Sequence, residues 1–103
     1  MRDLRLDQLN TFCRVIELGG FSAAADRLGI SQPAVSLQVR QLEKRLGVRL
    51  VERVGKRAMA TDSGKRLLAH AGRIEEAVGA ALDDLGRARQ GRAGGEPERQ
   101  EVT

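Results

Sequence analysis

No tryptophan and no tyrosine occur among the 103 residues, and the only aromatic rings are Phe12 and Phe21. A β-sandwich core leans on aromatic and β-branched side chains. Here the core must come from Leu, Val, Ile and Ala, which suits packed helices. There is one cysteine, Cys13, and one histidine, His70. A single Cys closes no internal disulfide, and one Cys with one His makes no zinc site. A reducing cytoplasm is the expected setting. No export signal and no apolar run of about 18 residues is present, so no membrane span is expected. No acid/base pair, metal cluster or phosphate-cradling loop stands in a recognisable arrangement, so neither an enzyme nor a cofactor is expected.

Charge is what the sequence does have. The net charge is +4. Residues 1–60 hold eleven Lys/Arg against six Asp/Glu, whereas residues 61–103 hold seven against eight. Residues 40–57 alone hold seven basic side chains against Glu43 and Glu52. A local basic patch points to a polyanion. A solvated Arg-rich surface is the plain alternative, and charge alone leaves both open.

The first helix is expected from about Asp7 to Leu18, because Leu9, Phe12, Cys13 and Ile16 form one apolar stripe. Cys13 lies on that stripe and reads as core. Gly19-Gly20 ends the helix. Ser22 is the expected N-cap of a short second helix, with Phe21 as its hydrophobic staple and Gly29 closing it. Only Ile30 and Ser31 separate it from a third helix, an arrangement of the helix-turn-helix kind. That third helix starts at Ser31 or Gln32, carries Pro33 in its first turn, and ends at Leu46-Gly47. Val48, Leu50 and Val51 to Val54, a turn at Gly55, and Ala58 to Ala60 read as a β-hairpin with Lys56 and Arg57 at or beside its tip.

Thr61 is placed to cap a fourth helix over residues 62 to about 90, with Asp62 at its positive end. Leu67, Ala71, Ile74, Val78, Ala81 and Leu85 alternate by four and three along it, an a/d-type seam. Such a helix runs about 43 Å at 1.5 Å per residue, more than a small head can cover. A dimerisation helix is therefore favoured over one folded back on the head. Gly72, Gly79 and Gly86 weaken it in isolation and let a partner approach. His70 sits beside the seam as a packing residue. From Gly91 onward Gly, Pro and charges dominate, and a flexible tail is expected.

On a helical wheel for the third helix, Val35, Val39, Leu42 and Leu46 fall within roughly 60° of one another. Pro33, Leu37, Arg40 and Lys44 lie opposite, flanked by Ser36 and Gln41. The outward face is small and hydrogen-bonding at its start and basic further along. Base edges call for Gln and Ser, or an apolar touch on a thymine methyl, and flanking phosphates call for Arg and Lys. Leu37 is placed for the thymine methyl, although an exposed Leu is common in any protein.

The stretch FSAAADRLGISQPAVSLQVRQLEKRLGVRLVER resembles the DNA-binding head of LysR-type transcriptional regulators. The likeness runs from about Leu4 through TDSG into the long helix. Its most specific parts are Phe21–Ala25, Ser31–Ser36, Leu42-Glu43 and Leu46-Gly47. The resemblance implies a mainly α fold: a winged helix-turn-helix over 4–61, with its motif at about 21–40, then a long dimerisation helix and a tail over 91–103. It implies base contacts from Ser31, Gln32, Pro33 and Ser36, with Leu37 at a variable specificity position counted with them, and a backbone contact from Arg40, beside which Lys44 lies on the same basic face. Arg53 matches a wing arginine at the minor groove, with Lys56 and Arg57 near the wing tip. Thr61 matches a threonine often near a phosphate. Two departures stand out: Val51 where an aromatic is usual, and Ala60 where a larger apolar residue is usual. Family members normally continue into an effector-binding domain, and no small-molecule effector site is identified in this sequence. Whether the sequence is a piece of such a protein or a single-domain relative is open.

The expected partners are therefore double-stranded DNA and a second copy of the chain, with sequence-specific transcription regulation as the leading function. A nonspecific architectural DNA-binding protein and a helix-mediated interaction module are the alternatives.

Overall fold

The computed structural model describes residues 4–91. Five of the six elements build the head: α1 (Leu6–Leu18), α2 (Phe21–Leu28), α3 (Gln32–Leu46), β1 (Val51–Val54) and β2 (Arg57–Ala60). The sixth, α4, runs Asp62–Gly91. Three head helices and a two-stranded antiparallel wing form the winged helix-turn-helix expected from the sequence. The tail expectation falls on residues that, from 92 onward, lie outside the described ones.

The core is aliphatic, as the shortage of aromatics requires. Leu9, Phe12, Cys13 and Val15 of α1 meet Ala24 and Ala25 of α2 and Val35, Val39 and Leu42 of α3, all buried. The wing and the residue just before it close the core with Leu50, Val51 and Ala58. Val51 is buried without being aromatic, so the β-branched side chain fills its place. Each head helix stops at a glycine in the left-handed region: Gly19, Gly29 and Gly47.

Two boundaries differ from the expectation by more than one residue. The second helix begins at Phe21, its N-cap is Gly20, and Ser22 makes no capping bond. The N–H groups of Gly19 and Gly20 both donate to the Val15 carbonyl, at 2.9 and 3.1 Å. That tight C-terminal turn sends the chain straight into an extended Gly20, whose carbonyl accepts from Ala24 N–H at 3.2 Å. Phe21 is thus the first helical residue and not a staple ahead of the helix. The other difference is β1, which starts at Val51 and leaves Val48 to Leu50 outside the ladder. The backbone groups of that segment are engaged elsewhere, as described below.

The register pairs Val51 with Ala60, Arg53 with Ala58 and Val54 with Arg57. Alternation then puts Val51, Arg53, Ala58 and Ala60 on one face of the hairpin. Gly55, at φ 64°, and Lys56 make the turn.

Thr61 caps α4 as expected, its Oγ1 accepting from Gly64 N–H at 3.0 Å. The same hydroxyl donates to the Arg49 carbonyl at 2.6 Å, and Thr61 N–H donates to the Leu50 carbonyl at 3.0 Å. The head, as a compact unit, extends through Ala71. Ala71 is 2% exposed within this single chain, so of the expected seam it is the residue already covered.

The second unit begins at Gly72 and continues α4. Ile74 is half-buried, and Ala81 is exposed. Val78, Leu82 and Leu85 are exposed large apolar side chains, Leu82 and Leu85 at 65% and 66%. Leu82 was absent from the expected seam. No helix among the described residues is long and apolar enough to cross a membrane.

Candidate nucleic-acid interface

Helix α3 presents the two sides its periodicity predicts. Val35, Val39 and Leu42 are buried, Leu46 is half-buried, and Pro33, Leu37, Arg40 and Lys44 are exposed. Ser31 is the N-cap, its Oγ accepting from Ala34 N–H at 3.2 Å. Its hydroxyl hydrogen is left for an outside acceptor, since a Ser carries one donor and two lone pairs. One turn on, Gln32 Nε2 donates to Ser36 Oγ at 3.3 Å. That bond uses one amide hydrogen of Gln32 and one lone pair of Ser36. The Gln32 carbonyl oxygen and the Ser36 hydroxyl hydrogen remain as an acceptor and a donor side by side.

Leu37 is 49% exposed. It lines an open groove between the start of α1 and α3, with Arg5, Gln8, Gln38, Gln41 and Lys44. Gln8 Nε2 donates to Gln41 Oε1 at 3.1 Å, and the Thr11 hydroxyl bonds to Gln38 Oε1. These polar bridges fix α3 against α1, and Gln8 and Thr11 are themselves buried. Gln41, expected to flank the outward face, is exposed and turned to this support. At the groove's rim Arg5 forms a two-pronged pair with Asp7, at 3.2 and 3.3 Å. The Arg5 guanidinium holds the Asp7 carboxyl below its ordinary value, against an opposing cost of desolvation and with the Gln8 N–H adding to the lowering.

On the other side of α3, Ser36 and Arg40 share a depression with Arg53 of β1. The Arg53 guanidinium stacks over the Phe21 ring, 4.8 Å from its centre. A cation held on an aromatic face is less free to wander than a solvated arginine. Phe21 therefore links the start of α2 to the wing, a role its position in the sequence does not announce.

The remaining basic residues divide. Lys56 is exposed in the hairpin turn. Arg57 opens β2, and its guanidinium lies over the α1–α2 turn, with Nη2 2.9 Å from the point a Cβ on Gly19 would take. The Ala58 N–H donates to the Gly19 carbonyl at 3.0 Å, which fixes that edge of the wing. Gly19 thus leaves room for Arg57, and Lys56 holds the tip. Lys44 borders the groove of Leu37 and a second one formed by Arg40 and residues 47–49. Thr61 has committed its one hydroxyl hydrogen to Arg49, so its duty here is the joint between wing and α4.

Sequence reasoning passed over Glu43 as a site residue. Its Oε2 accepts from the N–H of Leu50 at 2.7 Å and of Val51 at 3.2 Å. Arg49 Nε stands 3.6 Å from the same oxygen. Among the described residues, no group of three or more His, Cys, Asp or Glu is placed to hold a metal ion.

Comparison with known proteins agrees with this geometry. Residues 6–65 match the family described as bacterial regulatory helix-turn-helix protein, lysR family. A probable RuBisCO transcriptional regulator of Gracilaria tenuistipitata var. liui is 49% identical over 76 residues, 72% of this chain and 25% of that protein. The HTH-type transcriptional regulator CfxR of Cupriavidus necator is 47% identical over 74 residues, 72% of this chain and 23% of that protein. The chain thus spans about a quarter of the length of these curated relatives. Among solved structures, the BenM DNA-binding domain in complex with catB site 1 DNA superimposes with a TM-score of 0.80 at 31% identity, covering 91% of this chain and all of that one. The CbnR DNA-binding domain–DNA complex gives 0.76 at 39% identity, covering 82% and 98%. The chain belongs to the lysR family of bacterial regulatory helix-turn-helix proteins.

Proposed function

We propose that this chain carries the sequence-specific DNA-binding function of a LysR-type transcription regulator and works as a homodimer on an interrupted palindrome. The observation that carries this reading is the joint placement of Ser36, Arg40 and Arg53 around one depression, beside the half-buried Gln32–Ser36 pair. Ser31, Gln32, Pro33, Ser36 and Leu37 reach base edges in the major groove. Arg40 and Lys44 meet the flanking phosphates. Arg53 and Lys56 serve the wing side, with Arg57 bracing it. Relatives that were solved on DNA are similar over 91% and 82% of this chain, which supports the same partner here. The setting is the bacterial cytoplasm, at the nucleoid.

Two-fold protein symmetry calls for two-fold half-sites, and the exposed Val78, Leu82 and Leu85 supply the surface for a second copy. The division of roles on α3 is directly measurable. Arg40→Ala weakens binding on all sequences and lowers the salt slope by about one, as a lost phosphate contact does. Gln32→Ala instead costs about 1–3 kcal/mol at particular base pairs and leaves the others unchanged. Gel shifts over a library of sites separate the two, and uniform losses from both variants would overturn the assignment.

A further inference from the structure

We propose that Glu43 is a positioning residue that fixes the wing arginine Arg53 relative to the reading face of α3; this rests on the DNA-binding reading above. Glu43 lies near the end of α3, with its side chain only 15% exposed. One carboxylate oxygen receives both N–H groups at the root of β1, those of Leu50 and Val51. Leu50 and Val51 are buried, so water does not readily replace that acceptor. An ionised oxygen receiving backbone N–H groups makes the stronger class of hydrogen bond. Arg49, which flanks the same oxygen, is 76% exposed. An exposed ion pair contributes little, so the two N–H bonds, and not the pair with Arg49, are what tie the root to the Glu43 side chain of α3.

The consequence runs along the strand. Arg53 follows Val51 by two residues and shares its face of the hairpin. Its guanidinium rests on Phe21, and both line the depression that contains Ser36, Arg40 and Glu43. The root of the strand is thus pinned to α3, and the arginine further along is pinned to α2. Releasing the root leaves two buried N–H groups without their acceptor. The strand then shifts to find another, and Arg53 moves with it. A binding constellation tolerates only about 0.5 Å of such displacement.

The test is a double-mutant cycle on the full chain, using a duplex selected by the wild-type protein and fluorescence anisotropy as readout. Arg53→Ala is expected to weaken binding about tenfold and Glu43→Ala about fivefold, with the double variant within about twofold of Arg53→Ala alone, because coupled residues are not additive. Glu43→Gln, which keeps an acceptor oxygen, recovers most of the loss. In NMR spectra of the free chain, the Arg53 Nε–H signal, shifted by the Phe21 ring, moves toward its random-coil position in Glu43→Ala and stays in Glu43→Gln. If Glu43→Ala does not fold, Glu43→Asp, whose carboxylate is one methylene too short to reach both N–H groups, takes its place in the cycle, with a loss of about fivefold that again vanishes in the Arg53→Ala background. Losses that multiply would overturn the inference while leaving the DNA-binding reading intact. An Arg53→Ala variant with full affinity would overturn the wing assignment and this inference with it.

Discussion

Gly64→Ala is expected to destabilise the head by about 2–3 kcal/mol, the upper part of the range for overpacking, which for a domain of this size lowers the melting temperature by roughly 10–20 °C. A Cβ at Gly64 would stand 2.3 Å from the Leu50 carbonyl oxygen and 3.2 Å from the Ala60 Cβ. The first neighbour is backbone and cannot swing aside. That carbonyl also accepts the Thr61 N–H, so relieving the clash loosens the joint at which wing and α4 meet. Alanine is the better helix former by about 1 kcal/mol, and propensity alone would predict a gain. Gly91→Ala, at the end of α4 and past the seam, is the control, since a Cβ there meets nothing within 4 Å, and it is expected to leave the melting temperature level or raise it. Thermal unfolding followed by circular dichroism decides between them. An unchanged or higher midpoint for Gly64→Ala would contradict the packing described here.

The second large effect concerns assembly. Val78→Gln, Leu82→Gln and Leu85→Gln together are expected to convert the proposed dimer to a monomer in sedimentation equilibrium. Gln keeps helix propensity close to that of Leu, so loss of mass would report the interface and not a melted helix. Val78 and Leu85 belong to the seam read from the sequence, and Leu82 joins them because its side chain is left exposed. Ala71 is left out because the single chain already covers it. Linking two half-site readers raises affinity by about 10²–10⁴ without any new contact. The triple variant should therefore lose at least about 100-fold on a duplex with two half-sites and little on a single half-site. An unchanged mass would place the interface elsewhere.

Much of this was legible in the sequence because it is local and periodic. The buried side of α3 follows from Val35, Val39 and Leu42, and the helix ends follow from Gly19, Gly29 and Gly47. The exposed row Pro33, Leu37, Arg40 and Lys44 falls out of the same wheel. What the sequence hid depends on contacts between distant residues. The Glu43 carboxylate meets N–H groups seven and eight residues onward, across a bend that no periodicity encodes. Phe21 meets Arg53 only after the whole motif has folded. Ser22 looked like a cap because its residue type is right, and the turn at Gly19 and Gly20 moved the helix start ahead of it. Val48 to Leu50 had strand composition, yet the Leu50 N–H and carbonyl are claimed by Glu43 and Thr61. Burial of Ala71 likewise needs the folded head, since its spacing fits the seam equally well.

The central claim is that α3 and the wing read DNA sequence as a symmetric pair. Repeated selection from a pool of random duplexes with the unmodified chain tests it most directly. The expected result is a single motif of two inverted half-sites with an unread spacer, lost at the half-site bases when Gln32→Ala is used. A pool that stays random while still being retained at low salt would mean phosphate binding without readout, and a chain that retains no duplex at low salt would contradict DNA as the partner.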